Sequence, residues 1–173
     1  LFLYNTGARV QEVADLRVGH LDLAPLHRAR LHGKGDKWRV CPLWGKTASL
    51  LQQMIEERSS SASPESPVFT SRKGSPLTRF GIYKIVRRHT DKVVNKNLNG
   101  QPRAVSPHVF RHTTAVHLLE SGVEVNVIRA WLGHVSLETT NRYAEINLRM
   151  KAAALKTCEP PVATSGVFPR KPV

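Results

Sequence analysis

The sequence predicts a mainly helical domain with one small antiparallel β-sheet, an α+β fold. Apolar residues recur at spacings of three and four along most of the chain, which is typical of short amphipathic helices. Residues 27–43 differ, because two β-like runs flank a turn that contains two glycines, the pattern of a hairpin. The length of 173 residues corresponds to one domain that can bury a core.

The first predicted elements are a turn and a short helix. Residues 1–4 read as the end of a helix, and because the chain does not begin with Met we expect a fragment whose N-terminal part is missing. Residues 10–16 carry valine or leucine at every third position, which predicts a helix with one buried stripe. Arg9 and Glu12 lie three residues apart beside that stripe.

The hairpin and a second helix follow. The hairpin turn falls at residues 33–37, GKGDK, so Lys34 is expected on a basic turn hinged by glycine. Residues 59–67, SSSASPESP, form a loop by composition. Between them a helix is predicted with one apolar face, made of Leu50, Leu51, Met54 and Ile55.

A basic helix is predicted next, with Thr78 as its N-cap. Its apolar side is expected to be Phe80, Ile82, Ile85 and Val86. Its other side carries Arg79, Lys84, Arg87 and Arg88. A basic helix face is usually only solvated, but on a chain of this charge we expect it to contact phosphates.

The last third of the chain predicts further helices. Ser106 and Pro107 are typical of an N-cap followed by the first helical position, and that helix should end at Gly122. A helix over residues 124–132 follows, and a third, capped by Ser136, should carry a tyrosine. A final helix precedes a Pro-rich, flexible tail at residues 158–173.

The charge of the chain indicates its partner. Lysine and arginine number 26 against 13 acidic residues, a formal net charge of +13, which favours binding to a polyanion such as nucleic acid over an incidental basic surface. Two distant cysteines, Cys41 and Cys158, indicate a reducing compartment without disulfides. No apolar run has the length of a membrane span, so no membrane partner is expected.

Several polar residues are not explained by packing: Arg9, Lys34, His108, Arg111, His134 and Tyr143. His108 and Arg111 project together from the start of a helix, where the helix dipole favours an anion. Tyr143 lies in a polar run and is expected to be accessible. Each feature alone is weak, since a His-x-x-Arg pair is more often surface decoration. The eight histidines show neither a His-Glu-x-x-His run nor paired cysteines, so we expect no metal site and no cofactor.

The six residues all lie within four motifs that occur in this order: TGARVQEVADL, GKGDKWRVCPL, PHVFRHTTAVHLLESG and WLGH followed by a tyrosine. In their order and spacing they resemble the catalytic domain of the tyrosine recombinases (the phage-integrase, Xer-like family) over residues 1 to about 150. The resemblance implies the DNA breaking-rejoining fold and a catalytic domain at residues 1–157. It also implies that the family's N-terminal core-binding domain is absent from this chain.

The resemblance assigns roles residue by residue. It makes Arg9 and Arg111 the active-site arginines, Lys34 the hairpin lysine, His108 and His134 the two histidines, and Tyr143 the nucleophile. Glu12 is expected to orient Arg9 or a neighbouring basic group from behind. Further DNA contacts are expected from Lys37, Arg39, Arg79, Lys84, Arg87 and Arg88.

These residue types suit displacement at a phosphodiester. Two arginines can clamp the charge that develops on the non-bridging oxygens, and His134 can donate to the same oxygens. His108 can take the tyrosine proton, and Lys34 can supply one to the leaving 5′ oxygen. The 3′-phosphotyrosyl product keeps the energy of the phosphodiester, so rejoining needs neither ATP nor metal.

The expected function is therefore site-specific recombination or integration on double-stranded DNA. We expect a homo-oligomer that is a tetramer on DNA, although the fragment alone can be a monomer. The expected location is the cytoplasm, in association with the nucleoid. A type IB topoisomerase shares this chemistry and is one alternative. A non-catalytic DNA-binding module is the other, because residues 107–121 and 124–132 resemble a helix-turn-helix pair. Against that module, Arg129 is the only basic residue of its would-be recognition helix.

Overall fold

The computed structural model describes residues 1–58, 62–91 and 105–133. Its helices are α1 (Phe2–Thr6), α2 (Val10–Ala14), α3 (Gly45–Arg58), α4 (Arg79–Thr90), α5 (Pro107–Glu120) and α6 (Val125–Leu132). Its strands are β1 (Leu21–Asp22), β2 (Arg28–Gly33) and β3 (Lys37–Pro42), and a single 3-10 turn spans Val18–His20. The predicted fold class, mainly helical with a small antiparallel sheet, is confirmed. The predicted helices after Gly133 and the tail at residues 158–173 lie outside the described residues.

The sheet has the order β1-β2-β3 with antiparallel neighbours. Its inner face carries Ala29, Leu31 and Cys41, which are completely buried, while residues on the outer face of β2 alternate with them and are exposed. This alternation fixes the register, because a slip of one residue would turn the buried set to solvent. The sequence predicted the hairpin but not β1, whose two residues are too few to show a pattern.

The buried side chains of the described residues form two clusters. The larger cluster lies between the sheet, α2 and α3, and Leu16, Leu31 and Val68 are among its fully buried side chains. The smaller cluster joins α5 to α6 and includes Ile128. Trp131 packs against both clusters, so α6 is fixed to the sheet side of the molecule as well as to its helical partner.

A glycine at the end of α1 permits a close approach that places the later site residues. Gly7 has a left-handed backbone, φ 57°, and any side chain there would also collide with Leu132. The turn between α1 and α2 can therefore press against the end of α6. Thr114 of α5 reinforces the approach, because its hydroxyl donates to the carbonyl of Tyr4.

Two predicted apolar faces are wrong in part. Phe80 and Ile85 of α4 are 65% and 37% exposed, and only Ile82 and Val86 are buried. In α3, Leu50 is 48% exposed. In both helices, the surface that packs against the rest of the described structure is narrower than the apolar stripe in the sequence. Apolar residues at the edges of the stripe therefore remain exposed to solvent. No helix in the described ranges is long and apolar enough to cross a membrane.

We predict that Leu31→Ala lowers the free energy of unfolding by about 3 kcal/mol, because it leaves a cavity in a side-chain position with no exposed surface. Leu50→Ala is the matched control: it removes the same atoms from an exposed helix position and should change stability by less than about 0.5 kcal/mol. Denaturant unfolding measures both. Equal losses in the two variants would contradict the assignment of the inner sheet face to the core.

Candidate active site

Two arginines predicted to act together bind consecutive carbonyls at the end of α6. Arg111 Nη2 donates to the Leu132 carbonyl at 2.6 Å, and Arg9 Nη2 donates to the Gly133 carbonyl at 3.3 Å. Arg111 Nη1 also donates to the Gly7 carbonyl at 2.6 Å. The C-terminal carbonyls of a helix carry partial negative charge, which favours cations there. The structure thus brings Arg9 and Arg111 to one place although they are far apart in sequence.

Glu12 connects this place to the hairpin. Its carboxylate accepts two hydrogen bonds from Arg39, at 2.6 and 2.7 Å, and one from Arg9 Nη1 at 3.1 Å. It also accepts from the backbone N–H of Arg9 at 2.7 Å, which caps α2. The side chain of Glu12 is only 3% exposed. Glu12 therefore contacts both Arg9 and a second arginine, as a residue that orients them would.

Arg39, a predicted DNA contact, is held by contacts within the described structure. Its side chain is 9% exposed, it forms the paired bonds to Glu12, and its Nε donates to the Trp131 carbonyl at 2.9 Å. An arginine held in this way joins β3 to the end of α6 and supports the site. The sequence could not show this, because the partner carboxylate lies 27 positions away.

The environment of Glu12 keeps it ionised. Burial, the largest single influence, acts to raise its pKa, but the bonds and charge of Arg39 and the backbone bond and charge of Arg9 together outweigh burial. The pKa of Glu12 therefore lies below its ordinary value of 4.5. At Cys41 burial acts in the same direction and is not outweighed, so the thiol pKa is raised to about 12. That cysteine stays a protonated core residue, not a nucleophile.

A basic groove of about 520 Å³ opens in front of this arrangement. Its lining residues are Arg9, Gly33, Lys34, Lys37, Trp38, Arg39, Asn126, Arg129, Ala130 and Gly133. Five of them are basic and none is acidic, so the part of the groove that the structure describes suits an anion. The sequence did not predict Asn126 and Arg129 as site residues. The available signal was the spacing of Asn126, Arg129 and Gly133, three and four positions apart, which places all three on one side of a helix.

The remaining predicted residues differ in position. Lys34 is exposed on the hairpin turn and lines the groove. His108 is exposed in the first turn of α5, one helical turn before Arg111, and is not among the groove's described lining residues. His134 and Tyr143 lie outside the described residues. His134 directly follows Gly133, whose carbonyl Arg9 binds.

The predicted DNA contacts of α4 form a separate surface. Arg79, Lys84 and Arg88 are exposed, as predicted, but none of them lines the groove. Arg87 was expected to be exposed and is half-buried, with Nη2 3.5 Å from a carboxylate oxygen of Asp91. Lys37, on the hairpin, is exposed and lines the groove. Of the predicted DNA contacts on the hairpin and α4, Lys37 and Arg39 thus line the groove, and Lys37 is the exposed one of the two.

We predict that Glu12→Gln lowers the free energy of unfolding at neutral pH by about 2 kcal/mol, because it leaves the buried Arg39 without its counter-charge. A carboxyl group whose pKa is lower in the folded state than in the unfolded state stabilises the fold at pH values above its unfolded-state pKa. That stabilisation is lost as the pH falls through the folded-state pKa. The difference between wild type and variant should therefore be full above about pH 5 and shrink progressively below the ordinary glutamate value.

Asp15→Asn is the control for that measurement. Asp15 is exposed and accepts from Gln11 within one helical turn, so the change should have little effect on unfolding. Urea titrations between neutral pH and about pH 3 test both variants. A Glu12→Gln effect that stays constant over this range would contradict an ionised, paired Glu12.

Comparison with known proteins agrees with this geometry. Residues 1–149 match the phage integrase family. The tyrosine recombinase XerC of Pelobacter propionicus is 32% identical over 84% of this chain and 46% of its own length. A tyrosine recombinase of Pseudothermotoga lettingae is 38% identical over 83% of this chain and 47% of its own. The chain therefore spans about half the length of the curated relatives that it matches.

Solved structures show the same fold. The XerA recombinase superposes with a TM-score of 0.73 at 28% identity, over 91% of this chain and 56% of that one. The XerH recombinase in a post-cleavage complex with difH DNA has a TM-score of 0.70 at 27% identity, over 89% of this chain and 43% of that one. Because the family match spans most of the sequence and agrees with the fold, this chain belongs to the phage integrase family.

Proposed function

We propose that this chain is the catalytic domain of a tyrosine site-specific recombinase or integrase, which cuts and rejoins double-stranded DNA. The observation that carries the proposal is the meeting of Arg9 and Arg111 at the end of α6, beside a groove lined by basic residues. A phosphodiester is already anionic and gains charge on its non-bridging oxygens during displacement. Fixed guanidinium groups stabilise that charge without rearranging.

The chemical step is a transesterification. The Tyr143 hydroxyl attacks phosphorus, the bond from phosphorus to the 5′ oxygen breaks, and a 3′-phosphotyrosyl link forms. His108 takes the tyrosine proton and Lys34 gives one to the departing 5′ oxygen, while His134 donates to a non-bridging oxygen. The second strand reverses the step, because the link keeps the energy of the original ester; neither ATP nor a metal enters.

The placement of the other tyrosines supports Tyr143 as nucleophile. Tyr4 packs between α1 and α5, where its hydroxyl is hydrogen-bonded to His117. Tyr83 is exposed on α4. Neither lines the groove. Tyr143 follows Leu132, the last residue of α6, by eleven residues in the sequence, a separation long enough for it to reach the groove.

The proposed partner is double-stranded DNA, bound by a homo-oligomer that forms a tetramer on the recombining sites. Relatives such as XerH are solved with DNA, and the charge of +13 suits the same ligand. We place the protein in the cytoplasm, at the nucleoid. The family resemblance assigns this chain to a catalytic domain, residues 1–157, that works with a core-binding domain on the opposite side of the DNA.

The alternatives have less support. A type IB topoisomerase shares the chemistry, but the relatives found here are recombinases. For a plain DNA-binding module, α6 would serve as a free recognition helix. Instead, Asn126 and Arg129 of α6 face the same groove as Arg9 and Lys34, so this helix forms a wall of the candidate active site.

The nucleophile is tested with a nicked suicide duplex and the complete reading frame that encodes this chain. Tyr143→Phe should form no covalent DNA adduct at any time, since none of the described residues that line the groove carries a hydroxyl or a thiol. Arg9→Ala should still form it, slowed about a hundredfold by loss of roughly 3 kcal/mol of transition-state stabilisation. Tyr83→Phe is the matched control and should react like wild type. An adduct that persists in Tyr143→Phe would overturn the mechanism.

The groove is tested through the salt dependence of duplex binding. Each phosphate contact contributes about one unit to the slope of log affinity against log salt. Lys37→Ala should therefore lower that slope by about one and weaken binding at all sequences alike. Lys46→Ala, which removes an exposed lysine outside the groove, is the control and should leave the slope unchanged. Identical slopes for Lys37→Ala and wild type would exclude a phosphate contact there.

A further inference from the structure

The turn that carries Lys34 contains a residue in an unfavourable backbone conformation. Asp36 has φ 56°, directly after Gly35 at φ 75°. The left-handed region costs free energy for a residue with a side chain, although aspartate tolerates it better than most. The Asp36 side chain is 90% exposed, so burial does not hold it in place. A local contact has to stabilise this conformation.

His32 provides that contact. Its Nε2 lies 2.6 Å from Oδ1 of Asp36. Because a carboxylate only accepts, the imidazole N–H donates, and the bond is charge-assisted. The bond joins the end of β2 to the far side of the turn. Lys34 lies between the two bonded residues, so its backbone is held in a short closed loop.

Trp38 restricts the ring of His32. The two residues are directly opposite in the hairpin register, and their rings stack with centroids 4.6 Å apart and planes 18° from parallel. The tryptophan ring is also approached edge-on by His20, with centroids 4.9 Å apart. Stacking keeps the imidazole in one orientation, with Nε2 toward Asp36.

The restricted turn lies where the proposed proton transfer takes place. Lys34, Lys37 and Trp38 all line the groove. A general acid works only within hydrogen-bond reach of its leaving group, and a misplacement of about 1 Å can cost a large factor in rate. A lysine on an unrestrained glycine turn would occupy that position for a small part of the time.

We propose that His32, Asp36 and Trp38 form a positioning cluster that holds the Lys34 turn against the groove. This rests on the proposed function, in which Lys34 gives its proton to the 5′ oxygen as the bond to phosphorus breaks. The three residues act through Lys34 and do not touch the reacting atoms. Their contribution therefore belongs to departure of the 5′ oxygen, not to DNA binding.

The test uses two suicide duplexes with the complete reading frame, one ordinary and one with sulfur in place of the bridging 5′ oxygen. A thiolate leaves without a proton, so a defect in acid delivery is rescued on the sulfur substrate. Asp36→Gly permits the backbone conformation but removes the bond to His32. It should slow adduct formation on the oxygen substrate by on the order of tenfold and leave the sulfur substrate near the wild-type rate.

Three further variants sharpen the result. Asp36→Asn keeps an acceptor and a tolerance for the left-handed backbone, so it should restore much of the oxygen rate. His32→Phe keeps the stacking and loses the donor, so it should behave like Asp36→Gly. Asp22→Gly is the control for general loosening of the sheet, because Asp22 pairs with Arg28 at the end opposite the Lys34 turn. It should leave the ratio of the adduct-formation rates on the oxygen and sulfur substrates at the wild-type value.

The outcomes separate the two proposals. Equal slowing on both substrates by Asp36→Gly, or no slowing on oxygen, would overturn the positioning cluster while wild-type adduct formation still supports the proposed function. Wild-type protein that forms no adduct on either substrate would overturn both.

Discussion

The contact between the Gly7 turn and the C-terminal end of α6 determines where the candidate site residues lie. Gly7 has no side chain to obstruct Leu132, and one guanidinium, that of Arg111, donates to the carbonyls of both residues. Arg9 comes two residues after the glycine, and Gly133 comes one residue after the leucine. Fixing the one contact therefore brings the first predicted arginine to the end of α6, at the residue that precedes His134 in the sequence.

The charge balance around this contact follows from the placement of one carboxylate. Five basic residues line a common groove: Arg9, Lys34, Lys37, Arg39 and Arg129. Without a counter-charge, their positive charges would repel one another. Glu12, buried behind them, binds Arg9 and Arg39 directly. Its negative charge compensates part of the positive charge at the buried base of the groove. The remaining positive charge lies at the open face of the groove. The groove thus keeps a field that attracts a polyanion without an unpaired charge in its base.

The sequence predicted features with local causes. The turn at Gly7, the Thr78 cap and the hairpin around Lys34 each depend on a few adjacent residues, and the structure has each of them. Features with distant causes were not predictable. The burial of Arg39 depends on a carboxylate in α2 and a carbonyl in α6.

The exposure of Phe80 likewise depends on tertiary packing, because the rest of the described structure covers only part of the apolar face of α4. Motif order identified the candidate residues, but only tertiary contacts distinguish a groove residue from a supporting one. His134 and Tyr143 remain predictions from the motifs, because they lie outside the described residues.

The bonds of Arg111 have a consequence for how such chains are compared. This residue is 7% exposed and joins the α1–α2 turn to the end of α6, so it supports the fold as well as the proposed reaction. A descendant that had lost its nucleophile and kept only DNA binding would still need this arginine to fold. Its retention in a relative is therefore poor proof that the relative cuts DNA, whereas an exposed residue such as Lys34, without a comparable structural task, would drift once the chemistry was lost.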